Sequence, residues 1–142
     1  MTLLRRTAVI VMALALAVLG SALGIVGAKE GVPSVTIIGI STDETYGYQQ
    51  SNPIKVGGVM DGPARERAYL ELLRGPNGES IRYERNGSCC GFETPNSLFG
   101  GGMLDIYSVW IGDNPEPVKL YINMYDYEQP KAPKGFTFAG AV

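Results

Sequence analysis

The clearest pattern in the chain is the alternation of Val118, Leu120, Ile122 and Met124 with Lys119, Tyr121, Asn123, Tyr125 and Tyr127. A period of two puts successive side chains on opposite faces of a strand, so 118–127 is predicted to be a half-buried strand. Glu79 to Arg85 repeats the pattern, with Ile81, Tyr83 and Arg85 on one side and Arg82 and Glu84 on the other. Met103 to Ile111 predicts a third strand. It is joined to 118–127 across Gly112-Asp113-Asn114-Pro115-Glu116-Pro117, a connection short enough for an antiparallel hairpin. Ile54 to Val59 predicts a short strand whose Gly57 and Gly58 allow a bulge or a close backbone approach.

The period changes once. Between Ala64 and Arg74, Ala68, Tyr69, Leu72 and Leu73 recur at helical spacing, with Arg65, Glu66, Arg67 and Glu71 placed elsewhere around the cylinder. Asp61-Gly62-Pro63 supplies a start, because Asp61 or Gly62 can cap and Pro63 fits the first turn. Gly75 supplies a left-handed residue beyond the end, Pro76 prevents continuation and Arg74 complements the negative terminus. Asn77-Gly78 then predicts a tight turn.

Other stretches are less patterned. Lys29 to Ser41, with Val35, Ile37, Ile38 and Ile40, is either a first strand or an apolar lead-in. Gly87 to Gly102 holds five glycines with Pro95 and Asn96, which predicts a long irregular loop. Phe136-Thr137-Phe138 follows Pro130, Pro133 and Gly135 and predicts a covering tail. One helix against a mostly antiparallel sheet makes an α+β fold, in a single small domain over residues 29–142.

Residues 1–28 form a different region. Arg5 and Arg6 precede an apolar run from Thr7 to Leu19, and Val26-Gly27-Ala28 fits a cleavage site before Lys29. This predicts a signal peptide and an exported, periplasmic or secreted, protein; an uncleaved anchor is the alternative. The run fades into Gly20, Ser21, Gly24 and Gly27, short of the roughly 20 strongly apolar residues of a span. Membrane contact is therefore expected only through the signal segment before cleavage. The remaining chain carries ten Lys and Arg against fourteen Asp and Glu, a balance that gives no electrostatic reason to bind nucleic acid.

The absence of histidine removes Ser-His-Asp and Cys-His catalysis and every histidine-bearing zinc site. No metal site and no cofactor is predicted. Cys89 and Cys90 stand side by side between Gly87 and Gly91. Three states are open for them: buried thiols packed as small apolar side chains, a vicinal disulfide, or a pair that holds a soft ion such as Cu(I) or bonds between molecules. Adjacent Cα atoms lie about 3.8 Å apart, below the usual disulfide range, so a ring between neighbours is expected to need a distorted or cis peptide. The second candidate is a ligand face of Tyr121, Asn123, Tyr125 and Tyr127, a platform for a sugar or peptide, against the alternative that these rings pack beneath another segment. Asp105 and Asp126 are a weaker acidic candidate for acid/base chemistry, with pairing to Arg82 or Arg85 as the alternative. Gly100-Gly101-Gly102 leads into a strand and lacks a following lysine, so it does not predict a phosphate loop.

Taken together, Tyr46-Gly47-Tyr48, Asn52-Pro53-Ile54-Lys55-Val56-Gly57-Gly58, Leu73-Arg74-Gly75-Pro76-Asn77-Gly78, Gly87-Ser88-Cys89-Cys90, Gly100-Gly101-Gly102-Met103-Leu104-Asp105 and Leu120-Tyr121-Ile122-Asn123-Met124-Tyr125-Asp126 resemble a family of small exported bacterial proteins of uncharacterised function. The resemblance spans about Tyr46 to Phe136, and some members carry the name 2-dehydro-3-deoxyphosphooctonate aldolase. That enzyme is a (β/α)₈ barrel of roughly 250 residues. This chain has 142 residues and no repeating strand-helix units, so aldolase activity is not expected. The reading that results is an exported, non-catalytic binding or interaction domain for an exported ligand or cell-envelope component. A thiol site at Cys89 and Cys90, for redox switching or soft-metal binding, is the alternative.

Overall fold

In the computed structural model, residues 34–58 and 60–140 are described; the predicted signal segment lies outside them. Their elements run β1 (Ile54–Lys55), α1 (Gly62–Leu72), β2 (Leu73–Arg74), β3 (Ile81–Glu93), β4 (Gly101–Ile111), β5 (Val118–Asn123) and β6 (Thr137–Phe138). The main sheet is four-stranded in the order β1-β5-β4-β3. β1 runs parallel to β5, and the other pairs are antiparallel. β2 and β6 form a separate antiparallel pair. This is the α+β arrangement of one helix and a mostly antiparallel sheet that the apolar pattern predicts.

α1 buries Gly62, Glu66, Tyr69 and Leu70 against the sheet, and Leu73 continues the same stripe. Opposite them lie Ile54, Val56, Tyr107, Val109, Leu120 and Ile122, with Phe136 closing the core from the tail. Full burial of each large apolar side chain contributes roughly 1.5–3 kcal/mol, so this layer is the main source of stability. The register puts Asp105, Tyr107 and Val109 on the helix side of β4, opposite Ile122, Leu120 and Val118 of β5. Leu104, Ile106, Ser108 and Trp110 therefore point to the other side of the sheet.

Three expectations are corrected and one open choice is decided. The predicted loop over 87–102 is mostly strand: β3 continues to Glu93, β4 begins at Gly101, and the connection is only 94–100. Two bulges, at Asn86 and Cys90, absorb the residues that the glycines had suggested would end the strand. The helix stops at Leu72, because Leu73 and Arg74 turn extended and pair with Phe138 and Thr137 of the tail. Gly75 is accordingly not a left-handed cap; it opens the Gly75–Glu79 turn, in which Gly78 takes φ +82°. β5 ends at Asn123, four residues before the predicted end. Finally, 34–41 is a lead-in with a single bridge, Ile40 to Ala132, that buries Ile37 and leaves Ile38 and Ile40 exposed.

Candidate functional site

Two clusters of polar chemistry lie on opposite sides of the sheet. On the helix side, Asp105 is almost fully buried, and its carboxylate accepts from Arg85 Nε (2.8 Å), Arg85 Nη2 (2.9 Å) and Ser88 Oγ (2.7 Å). Glu66 is 0 % exposed, and its Oε2 accepts from the Tyr107 hydroxyl at 2.8 Å. Its Oε1 has no donor aimed at it. Burial first, and the Asp105 charge second, push Glu66 up to about 8. With Glu66 held neutral and Asp105 ionised, the two carboxyls share this interior with one negative charge between them.

Glu66 is the important residue that the reading by type placed wrongly. Counting back one turn from Tyr69, Leu70 and Leu73 lands on position 66, the centre of the buried stripe. The signal was in the spacing; the charge hid it. Asp105 pairs with Arg85, one of the two arginines expected for it, and not with Asp126.

On the other side of the sheet, the sulfurs of Cys89 and Cys90 are bonded to each other. Their Cα atoms are 3.7 Å apart, and no described peptide bond is cis. The expected cis peptide is thus not used. Cys90 instead takes φ +62°, a left-handed conformation rare for a side chain with a Cβ and costing roughly 1–2 kcal/mol. It does so as the bulged residue of β3: Cys89 pairs with Leu104 and Gly91 with Met103, leaving Cys90 between them without a partner. The bulge re-aims the chain, as bulges beside binding sites commonly do.

Cys90 borders a cleft of about 410 Å³ with Gly91, Phe92, Leu104, Pro53, Gln50, Ser51, Lys55, Asn123 and Asp126. Phe92 is set edge-on to Tyr125, centroids 5.9 Å apart. Gly102 makes this possible: a Cβ there would lie 2.8 Å from the Tyr125 ring and 3.0 Å from Phe92. The floor of the cleft is a tied-down turn. Asn123 Oδ1 accepts from the amides of Tyr125 (2.9 Å) and Asp126 (3.0 Å), while its Nδ2 donates to Asp126 Oδ2 (3.0 Å). Asp126 Oδ1 accepts from Thr94 and Asn96. Burial raises Asp126, but these three donors and Lys55 outweigh it and keep the carboxyl below the usual range.

The predicted tyrosine face is not assembled. Because β5 stops at Asn123, only Tyr121 and Asn123 project from one face of a strand; Asn123 is buried, and Tyr121 donates its amide to Gly47. Tyr125 packs on Phe92 and Gly102, and Tyr127 bridges to Val56 with Arg65 over its ring at 5.7 Å. Asp105 and Asp126 share no partner and lie in separate networks. Among the described residues no three Cys, Asp or Glu side chains converge as a metal site would require. A second cleft, about 310 Å³, opens between Met60 and Pro63 on one side and Leu98 and Phe99 on the other. Neither Glu66 nor Asp105 lines either cleft. No protein-family model, curated protein or solved structure matches the chain.

Proposed function

We propose that this is an exported binding domain for a component of the cell envelope, with the cleft beside the Cys89–Cys90 disulfide as its ligand site. The observation that carries the reading is the meeting of a rigid ring, at a strained bulge, with unengaged polar side chains in one ligand-sized opening. A backbone strained at a bulge is a feature that folding alone does not require. Glu66 and Asp105 line neither cleft, so no acid/base chemistry is proposed for them. Export rests on residues 1–28 and on the resemblance to small exported proteins.

The test is an amide chemical-shift map of the exported protein titrated with a soluble cell-wall digest. Shifts centred on residues 50–55, 90–92 and 123–126 are the expected result. Shifts confined to 60–63 and 97–101 would move the site to the second cleft, and no shifts would remove the reading. A redox role is the second reading, supported by the position of Cys90 on the wall of an open cleft. An exported dithiol would deliver two electrons and two protons to the bond, giving two thiols and its own disulfide.

A further inference from the structure

Three features of the disulfide cleft constrain what can occupy it. Part of the lining is apolar: Cys90, Phe92, Leu104 and Pro53, with Gly91 contributing no side chain between Cys90 and Phe92. Sulfur and aromatic faces are polarizable and flat, and they bind C–H surfaces well. The lining also carries Gln50 and Ser51, both exposed and neither held by a side-chain hydrogen bond among the described residues. These are adaptable donors and acceptors. Third, the charges cancel. Lys55 Nζ lies 3.9 Å from Glu128 and also acts on the ionised Asp126, whose oxygens already accept from Thr94, Asn96 and Asn123. An anionic ligand would meet Asp126, and a cationic one would meet Lys55.

Taking the disulfide cleft as the ligand site, we propose that its ligand is a neutral carbohydrate, one sugar ring lying against the Cys90–Phe92 wall with its hydroxyls toward Gln50 and Ser51. A pyranose has the required shape, with a C–H face, a rim of hydroxyls and no charge. An opening of about 410 Å³ accommodates a ligand of one or two such rings. A purely hydrocarbon ligand would fill the apolar lining but leave Gln50 and Ser51 facing nothing, and an acidic or phosphorylated ligand has no unopposed cation to meet.

The experiment titrates the oxidised protein with two neutral probes, N,N′,N″-triacetylchitotriose and cellotriose, and with a capped tripeptide, Ac-Ala-Phe-Ala-NH₂, reading amide shifts. We expect a sugar to shift residues 50–55 and 90–92 with millimolar affinity, little changed between low and high salt because no ion pair forms. Phe92→Ala and Gln50→Ala should each weaken it at least fivefold. Gln50 lies on an exposed loop, so that variant tests the contact even if Phe92→Ala disturbs folding. If the tripeptide shifts these residues and neither sugar does, the carbohydrate class is wrong and the cleft stands. If a sugar shifts only residues 60–63 and 97–101, the cleft itself is wrong. Strong weakening by salt, or an unchanged affinity in Gln50→Ala, would also overturn the proposal.

Discussion

The two faces of the main sheet treat polar groups in opposite ways. On the α1 side, Glu66, Asp105, Tyr107 and Arg85 form a network in which all but one buried oxygen is bonded and which reaches solvent through Arg85 and Ser88. On the far side, an ordered floor of Asn123 and Asp126 supports a cleft where Gln50 and Ser51 remain unengaged near the disulfide. Among the described carboxyls, the one pushed furthest up, Glu66, is therefore in the closed region. Perturbed carboxyls gather at functional sites, but structural networks perturb them too, and accessibility separates the two cases here.

The contrast can be broken most forcefully through Glu66. Its carboxyl ionises near pH 4.3 in an unfolded chain but at about 8 in the folded one. The folded state thus holds the proton more tightly. Its stabilising contribution is complete below about pH 4.3 and is lost as pH rises through about 8, a fall on the order of 4–5 kcal/mol. Urea unfolding between pH 5 and 9 should show this decline, and Glu66→Gln, which can still accept from Tyr107 but carries no titrating proton, should flatten it. A wild-type curve already flat would mean that Glu66 is not held neutral. Asp105 works in the opposite direction: its lowered carboxyl adds stability above about pH 4 that disappears on further acidification.

Asp105→Ala comes next, with an expected loss of roughly 1.5–3 kcal/mol at pH 7, because Arg85 and Ser88 lose their shared acceptor although half-exposed Arg85 can be rehydrated. The same variant should lower the pH at which Glu66 ionises, since a neighbouring negative charge is gone. Gly102→Ala is predicted to cost roughly 1–3 kcal/mol, as the added methyl forces the Tyr125 and Phe92 rings apart. Thermal unfolding would measure it, and an unchanged Tm would show that the rings yield freely. Gln50→Ala should change stability by less than about 0.5 kcal/mol, since its side chain is exposed and unbonded. That variant sharpens the comparison: silent in folding, it should be visible in binding.

The legible parts of the sequence were those where period and packing agree. Val118, Leu120 and Ile122 alternate and are found on the core side of β5, and the 112–117 connection does close an antiparallel hairpin. The period misled where a side chain overrode it. Asn123 captures the amides of Tyr125 and Asp126, ending the strand although the alternation continues on paper. The glycines at 87, 91, 101 and 102 were misread as breakers, because their strand conformation depends on cross-strand pairing and two bulges that no local pattern reveals. Leu73 and Arg74 left the helix for the same kind of reason, drawn into pairing with a tail more than sixty residues away. For the site, adjacency of Cys89 and Cys90 was plain, but the cleft beside them joins three separated segments, 50–55, 90–104 and 123–126, and only folding brings these together.

The central claim is that the disulfide ring builds one wall of a binding cleft, and it is tested most directly by the state of the two cysteines. Intact mass of the purified protein, with thiol labelling before and after reduction, reads that state. The account predicts no labelling of the native protein, then a gain of two hydrogens and two labels per chain after reduction. Two thiols that label in the native, monomeric protein would contradict it, leaving the cleft without the wall on which its reading depends.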